Sequence, residues 1–119
     1  MEVNDNNYNE LVLKEERPIF IDFYSPMCGP CVELKEFIDT NLEAYGSEKG
    51  VLVLKCNVSE NPKLAEKLKI KSVPFTIGIT KGLGQDKKFK YPEVGMQEAH
   101  YYFNIIDKLS GKKKFLGLF

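Results

Sequence analysis

The chain has 119 residues and 13.6 kDa, with 43% hydrophobic and 29% charged side chains and three cysteines. That balance describes one ordinary globular domain able to build its own core, and it sets aside collagen-like, disordered and disulfide-stapled miniprotein classes. Net charge is zero, but residues 1–50 carry 11 acidic against 4 basic side chains and residues 51–119 carry 6 against 13; with Arg17 as the sole arginine, lysines on solvated faces are expected rather than a nucleic-acid surface.

In chain order, residues 8–14 have weak helical spacing anchored by Leu11 and Val12. Residues 18–25, a β-branched and aromatic run closed by Pro26, read as a buried strand. After Cys28-Gly29-Pro30-Cys31, the residues Val32, Leu34, Phe37, Ile38, Leu42 and Tyr45 recur at helical spacing, with Gly46 as the expected stop. Residues 51–58 read as a second buried strand, and Asn61-Pro62 is expected to cap a short helix carrying Leu64, Ala65 and Leu68. Ser72-Val73-Pro74 turns into a third strand, 75–80. A glycine-containing turn at 82–86 leads to a fourth, 87–94, ended by Gly95 and expected to be the third strand's hairpin partner. Residues 97–109 form a final helix, with Ala99, Tyr102, Phe103, Ile106 and Leu109 on its inner face. The order βαβα then ββα predicts parallel strands joined by right-handed crossovers, followed by an antiparallel hairpin and a covering helix.

Cys28 and Cys31 stand at the junction of a strand and a helix. A sulfur at a helix N-terminus meets unpaired backbone N–H groups and the positive end of the helix dipole, both of which stabilise a thiolate. A thiolate is what attacks a disulfide, and a second thiol one turn on can displace the product. Gly29-Pro30 permits the tight turn, and Pro30 removes only an N–H that the first helical turn leaves free. Cys28 is therefore assigned as the exposed nucleophile and Cys31 as the resolving thiol. Asp22 lies mid-strand among Ile19, Phe20, Ile21 and Phe23, facing inward. Burial raises a carboxyl's pKa toward neutrality, which suits a base for Cys31. Lys55 is equally out of place in its apolar run and is positioned to tune that carboxyl. The plainer alternative is that Asp22 and Lys55 form a structural pair or point to solvent.

The segment from Ile21 to Cys31, with these elements around it, resembles the active-site segment of the thioredoxin family, over about residues 5–110. Asp22 precedes Cys28 by that family's six residues. Lys55 falls where the family has a lysine near the aspartate, Pro74 after Val73 where it has a cis-proline facing the CxxC, and Gly95 after Val94 where a glycine helps form the substrate groove. The resemblance implies an α/β thioredoxin-like fold with a central mixed four- to five-stranded sheet flanked by helices. It implies a dithiol that reduces protein disulfides through a mixed-disulfide intermediate, with no prosthetic group or metal. An extended cysteine-bearing client segment would lie against Val73 and Pro74, with Met27, Gly29, Pro30, Val58, Val94 and Gly95 forming the surrounding surface. Disulfide-containing client proteins and a thioredoxin-reductase-type electron donor are the implied partners of a chain that reads as a monomer. Several positions depart from the family pattern. Met27 replaces the usual tryptophan, Tyr24-Ser25 replaces Trp-Ala, Glu36 stands where a proline kinks the helix, Phe75 follows Pro74 in place of threonine, and the turn at 81–88 is long. These changes are expected to alter the docking rim more than the chemistry.

Other readings remain beside this one. A thioredoxin-fold binding or adaptor module of a larger assembly would have no need for an intact Cys28/Cys31 pair. A disulfide-forming oxidant is disfavoured by Gly29-Pro30. Three cysteines and His100 formally suit zinc, but Pro30 and the strand-to-helix setting favour redox use. Cys56 reads as a small buried filler or a regulatory thiol, and His100 as an exposed helix residue. No apolar run approaches the roughly 18 residues of a membrane span. The acidic, polar start lacks the features of a secretory leader, so a cytoplasmic protein is expected. Residues 1–111 read as the domain and 112–119 as a separate basic and hydrophobic tail. That tail is either a frayed end or a segment that docks on a partner or membrane, and its apolar part is too short to anchor by itself.

Overall fold

Strand β1 (Ile19–Tyr24) is buried along its whole length because it is paired on both edges and covered on both faces. The computed structural model describes residues 1–83 and 87–111, and these form a four-stranded sheet in the order β2-β1-β3-β4. β2 (Leu52–Asn57) runs parallel to β1, pairing Ile19 with Leu52 and Asp22 with Lys55. β3 (Phe75–Ile79) is antiparallel to β1, and β4 (Phe89–Val94) is antiparallel to β3, as the hairpin pattern predicts. Residues 1–3 lie beside β2, with the Val3 N–H donating to the Lys55 carbonyl at 2.8 Å and the Lys55 N–H to the Met1 carbonyl at 3.0 Å. The start of the chain, read only as polar, thus takes the place of a rudimentary fifth strand.

Alternation along β1 sends its side chains into two cores. Ile19, Ile21 and Phe23 pack with Leu54, Cys56, Leu64, Ile79 and the N-terminal Val3, Tyr8 and Val12. The helical turn Asn9–Leu13, wider than an α-helix, and α3 (Pro62–Lys67) cover that face. Phe20 packs on the other face with Leu34, Ile38, Leu42, Val53, Tyr102, Ile105 and Ile106. α1 (Gly29–Phe37), α2 (Glu43–Lys49) and α4 (Ala99–Ser110) cover this second side.

Three local expectations change. The helix that starts after Cys28 does not stop at Gly46. It continues through a widened π turn, Ile38–Leu42, into α2 and ends at Gly50, whose φ of 75° supplies the left-handed cap. Gly46 is glycine for a different reason: a Cβ there would sit 2.6 Å from Val53 Cγ2 and 2.9 Å from the Val51 carbonyl oxygen. The Asn61 side chain does not cap α3. The Leu64 N–H instead donates to Asp5 Oδ1 at 2.8 Å, while Asn61 Oδ1 accepts from the Asp5 N–H at 2.9 Å. In α4, Tyr102, Phe103, Ile106 and Leu109 pack against the core as expected, but Ile105 joins them and Ala99 is exposed. Residues 112–119 and 84–86 lie outside the described residues, so the expected tail and the centre of the long turn are not described.

Candidate active site

The site begins where β1 ends. After Tyr24 a tight turn brings the Cys28 N–H to the Ser25 carbonyl at 3.1 Å, and Cys28, extended at φ −103° and ψ 115°, becomes the N-cap of α1. Its Sγ accepts the Cys31 backbone N–H at 3.2 Å. A sulfur therefore takes the capping role that a Ser or Asp oxygen usually fills. Pro30 lies in the first helical turn, where its missing N–H costs nothing. The Cys28 and Cys31 sulfurs are within disulfide-bonding distance, with Cα atoms 5.2 Å apart. Cys28 is partly exposed and Cys31 is wholly buried. That difference follows from the helical turn between them: one sulfur stays at the tip and the other points into the core.

The Val73–Pro74 bond is cis, and Cys28 Sγ lies 3.8 Å from the Val73 carbonyl oxygen. The Pro74 carbonyl is taken by the Gly95 N–H at 2.8 Å, and Gly95 has a φ of 86°. The loops before β3 and after β4 are thereby tied together beside the sulfurs. Met27 is 92% exposed and Val94 56% exposed, and Gly29 and Pro30 are also exposed. Phe75, expected on this rim, turns the other way. Its ring packs on Phe23, with centroids 6.1 Å apart, and lines a cavity with Leu68, Ile70, Ile77 and Phe89 on the opposite face of the sheet. Strand alternation is the reason, because Phe75 and Ile77 share one face while Thr76 lies on the face that α1 covers.

Asp22 is wholly buried, on the face of the sheet covered by α1. Among the described residues neither of its carboxylate oxygens has a hydrogen-bond partner, and the neighbouring Thr76 hydroxyl has none either. Burial pushes the Asp22 pKa up to about 7 from its ordinary 3.8; Lys55 opposes the rise, Glu2 and Asp39 add to it, and Lys35 opposes it weakly. Lys55 adjoins Asp22 in the strand register, but its ammonium is bonded to Asp39 Oδ1 on the π turn. The plainer alternative, a structural ion pair of Asp22 with Lys55, is therefore absent, and Lys55 acts on Asp22 through space. Burial also disfavours the Asp39 anion, yet the hydrogen bonds from Lys55 and Lys35 outweigh this and hold its pKa below the ordinary carboxylate range. Sequence reasoning missed Asp39. It lies 17 residues from Asp22 on an exposed helical position, and no local pattern marks it.

A family model described as Thioredoxin matches residues 1–99. The chain belongs to the thioredoxin family. Thioredoxin of Rickettsia felis is 33% identical over 107 residues, spanning 89% of this chain and 94% of the rickettsial one. Thioredoxin of Synechocystis is 40% identical over 81 residues, or 68% of this chain and 73% of that one. The chain spans about half the length of the pea and spinach relatives, each a chloroplastic M-type thioredoxin, with 48% and 44% of their lengths matched. The crystal structure of chloroplastic thioredoxin z superposes with a TM-score of 0.73, covering 92% of this chain and 93% of that one at 24% identity; at that identity the likeness concerns the fold.

Within the thioredoxin framework the remaining departures have local explanations. Tyr24, in place of the family tryptophan, is buried and donates its hydroxyl to Glu2 Oε2 at 3.0 Å, fastening the N-terminal segment to β1. Burial and that bond push its pKa well above the ordinary tyrosine value. With Glu36 where a proline is usual, the helix departs from α geometry at the π turn that starts two residues later. Cys56 is a free thiol buried on the far face of the sheet, with its pKa pushed up to about 12 by burial, then by Glu2, Asp5 and Asp22. His100 is exposed on α4, 3.6 Å from Glu98. Cys56 and His100 are therefore not brought to the Cys28–Cys31 pair, which removes the formal zinc set. No helix of the described residues is long and apolar enough to cross a membrane.

Proposed function

We propose that the chain is a thiol–disulfide oxidoreductase that reduces protein disulfides, a reading carried by the Cys28–Cys31 pair at disulfide distance on the N-terminus of α1. Family membership and relatives named as thioredoxins support it. The Cys28 thiolate, stabilised by the Cys31 N–H and the helix terminus, attacks one sulfur of a client disulfide. A mixed disulfide forms and the client's other sulfur leaves as a thiolate. Cys31 then gives its proton toward Asp22, a buried carboxyl whose pKa near 7 suits a base at neutral pH. The Cys31 thiolate attacks Cys28 Sγ, the second client sulfur leaves and takes up a proton, and a Cys28–Cys31 disulfide remains. The client gains two electrons and the dithiol loses two. A reductase of the thioredoxin-reductase class restores the dithiol.

The client segment lies along Val73 and Pro74, with Met27, Gly29, Pro30, Val94 and Gly95 around it. The support is geometric: the Val73 carbonyl is beside Cys28 Sγ, and the exposed apolar side chains of Met27, in the turn before Cys28, and Val94, at the end of β4 opposite Phe75, supply apolar surface. Clients and the reductase use this surface in turn, with the chain acting as a monomer. A reducing, cytoplasm-type compartment suits both an electron-donating dithiol and the free thiol of Cys56. The test is insulin reduction driven by dithiothreitol or a bacterial thioredoxin reductase with NADPH. Turnover that vanishes in Cys28→Ser supports the reading. Intact thiols without turnover would overturn it in favour of a thioredoxin-fold adaptor.

A further inference from the structure

Asp22 and Lys55 face one another across the β1/β2 ladder, in a pairing whose strand spacing is about 4.8 Å. Opposite charges so placed in a core ordinarily pair, because each lowers the other's desolvation cost. Here the ammonium of Lys55 bonds Asp39 Oδ1, while Lys35 Nζ holds Asp39 Oδ2 at 3.2 Å. Asp39 is the second residue of the π turn Ile38–Leu42, and its side chain is 38% exposed. It is thus a hydrated carboxylate that reaches in to the buried lysine from the helix side. The Lys55 side chain is only 9% exposed, so this one ammonium lies between two competing acids.

We propose that Asp39 is a positioning residue for the redox site: by holding the Lys55 ammonium on the helix side, it leaves the Asp22 carboxyl without an ion-pair partner and so sets how readily that carboxyl takes a proton. This rests on the proposed role of Asp22 as the base for Cys31. Two effects of Asp39 act in the same direction. It withdraws the cation that would stabilise ionised Asp22, and its own negative charge disfavours a second one nearby. The other groups that act on Asp22, or feel its charge, are Glu2 on the N-terminal segment, Tyr24 on β1, Cys56 on β2, Lys35 on α1 and Tyr102 on α4. From β3 the uncharged Thr76 hydroxyl faces it. Lys55 exceeds all of these and is the largest influence opposing the effect of burial on Asp22.

The experiment is a carbon-13 NMR titration of the Asp22 carboxyl in the reduced full-length chain, in wild type, Asp39→Asn, Asp39→Glu, Lys55→Gln and the double variant Asp39→Asn/Lys55→Gln. In Asp39→Asn the Asp22 midpoint falls by about one pH unit or more, a tenfold strengthening of the acid. Asp39→Glu retains most of the wild-type midpoint, and Lys55→Gln raises it. In the Lys55→Gln background, removing Asp39 has a distinctly smaller effect, which separates action through Lys55 from direct charge repulsion. An unchanged or raised midpoint in a folded Asp39→Asn variant overturns the proposal, and so does an equal effect of Asp39→Asn in both backgrounds. Circular dichroism checks folding, and Asp39→Ser, which also removes the carboxylate and is expected to lower the midpoint in the same way, serves if Asp39→Asn does not fold. The titration needs no turnover, so a chain that shows these shifts yet reduces no disulfide upholds the positioning role and sinks the reductase reading instead.

Discussion

The Cys31 backbone N–H donates to Cys28 Sγ at 3.2 Å, so the first cysteine caps the helix that buries the second. The two thiols are thereby made unequal by a single turn of backbone. One is partly exposed at the tip and accepts the Cys31 N–H, and the other is wholly buried on α1, the helix that covers the Asp22 face of the sheet.

That asymmetry predicts different outcomes for the two serine variants. Cys28→Ser reduces insulin no faster than the uncatalysed background. Cys31→Ser still attacks but cannot resolve, so it accumulates a mixed disulfide with a client protein. Non-denaturing capture followed by mass spectrometry of the adduct checks this. Adducts on Cys31 in the Cys28→Ser variant, equal in yield to those of Cys31→Ser, would reverse the assignment of roles.

Burial of Asp22 gives stability a definite pH dependence. Its pKa is raised to about 7 in the folded chain against 3.8 ordinarily, so between those values the folded state holds more protons than the unfolded one. Stability from this group is complete below about pH 4 and is lost as pH rises through about 7. Asp22→Asn removes the charge, so the variant gains a few kcal/mol over wild type by about pH 8 and almost nothing near pH 4. Urea unfolding of the reduced proteins across this range measures the difference. The same variant resolves mixed disulfides roughly tenfold or more slowly at neutral pH, as expected on loss of a general base. Parallel stability curves for the two proteins would remove Asp22 from both roles.

Met27 offers a test of the rim. At 92% exposure it contributes nothing to the core, so Met27→Ala leaves the melting temperature within about 1 °C of wild type. If clients dock there, kcat/KM for insulin falls several-fold, corresponding to about 1 kcal/mol for an interface side chain. Equal kcat/KM values would move the docking surface away from this loop.

The cap on α3 is supplied by Asp5, 59 residues away, through the Leu64 N–H. Asp5→Ala therefore destabilises the chain by about 1 kcal/mol even though it alters no residue of the helix. Asn61→Ala also destabilises it, because Asn61 holds the Asp5 N–H and bonds the Asn57 carbonyl. Chemical denaturation of both variants and the pair checks the coupling. Strict additivity would show that the two side chains act independently.

Much of this molecule was legible along the chain. Strand and helix periodicities depend on neighbours two to four residues apart, so β1 to β4, the helix after Cys28 and the final helix could be placed to within a few residues. The dithiol at a strand-to-helix junction and a lone acid in an apolar strand are likewise local patterns, and they led to Cys28, Cys31 and Asp22. The tertiary structure decided whatever depends on register and packing between distant segments. Pairing of β1 with β2 set Asp22 beside Lys55, but only the helix lying over them brought Asp39 to the ammonium. The approach of Val51 and Val53 explains Gly46, and the true helix stop moved to Gly50. Alternation along β3 turned Phe75 away from the redox rim, and the N-terminal residues found an open edge at β2. A buried polar group takes its energy from whichever partner reaches it first in three dimensions, and sequence distance carries no record of that choice.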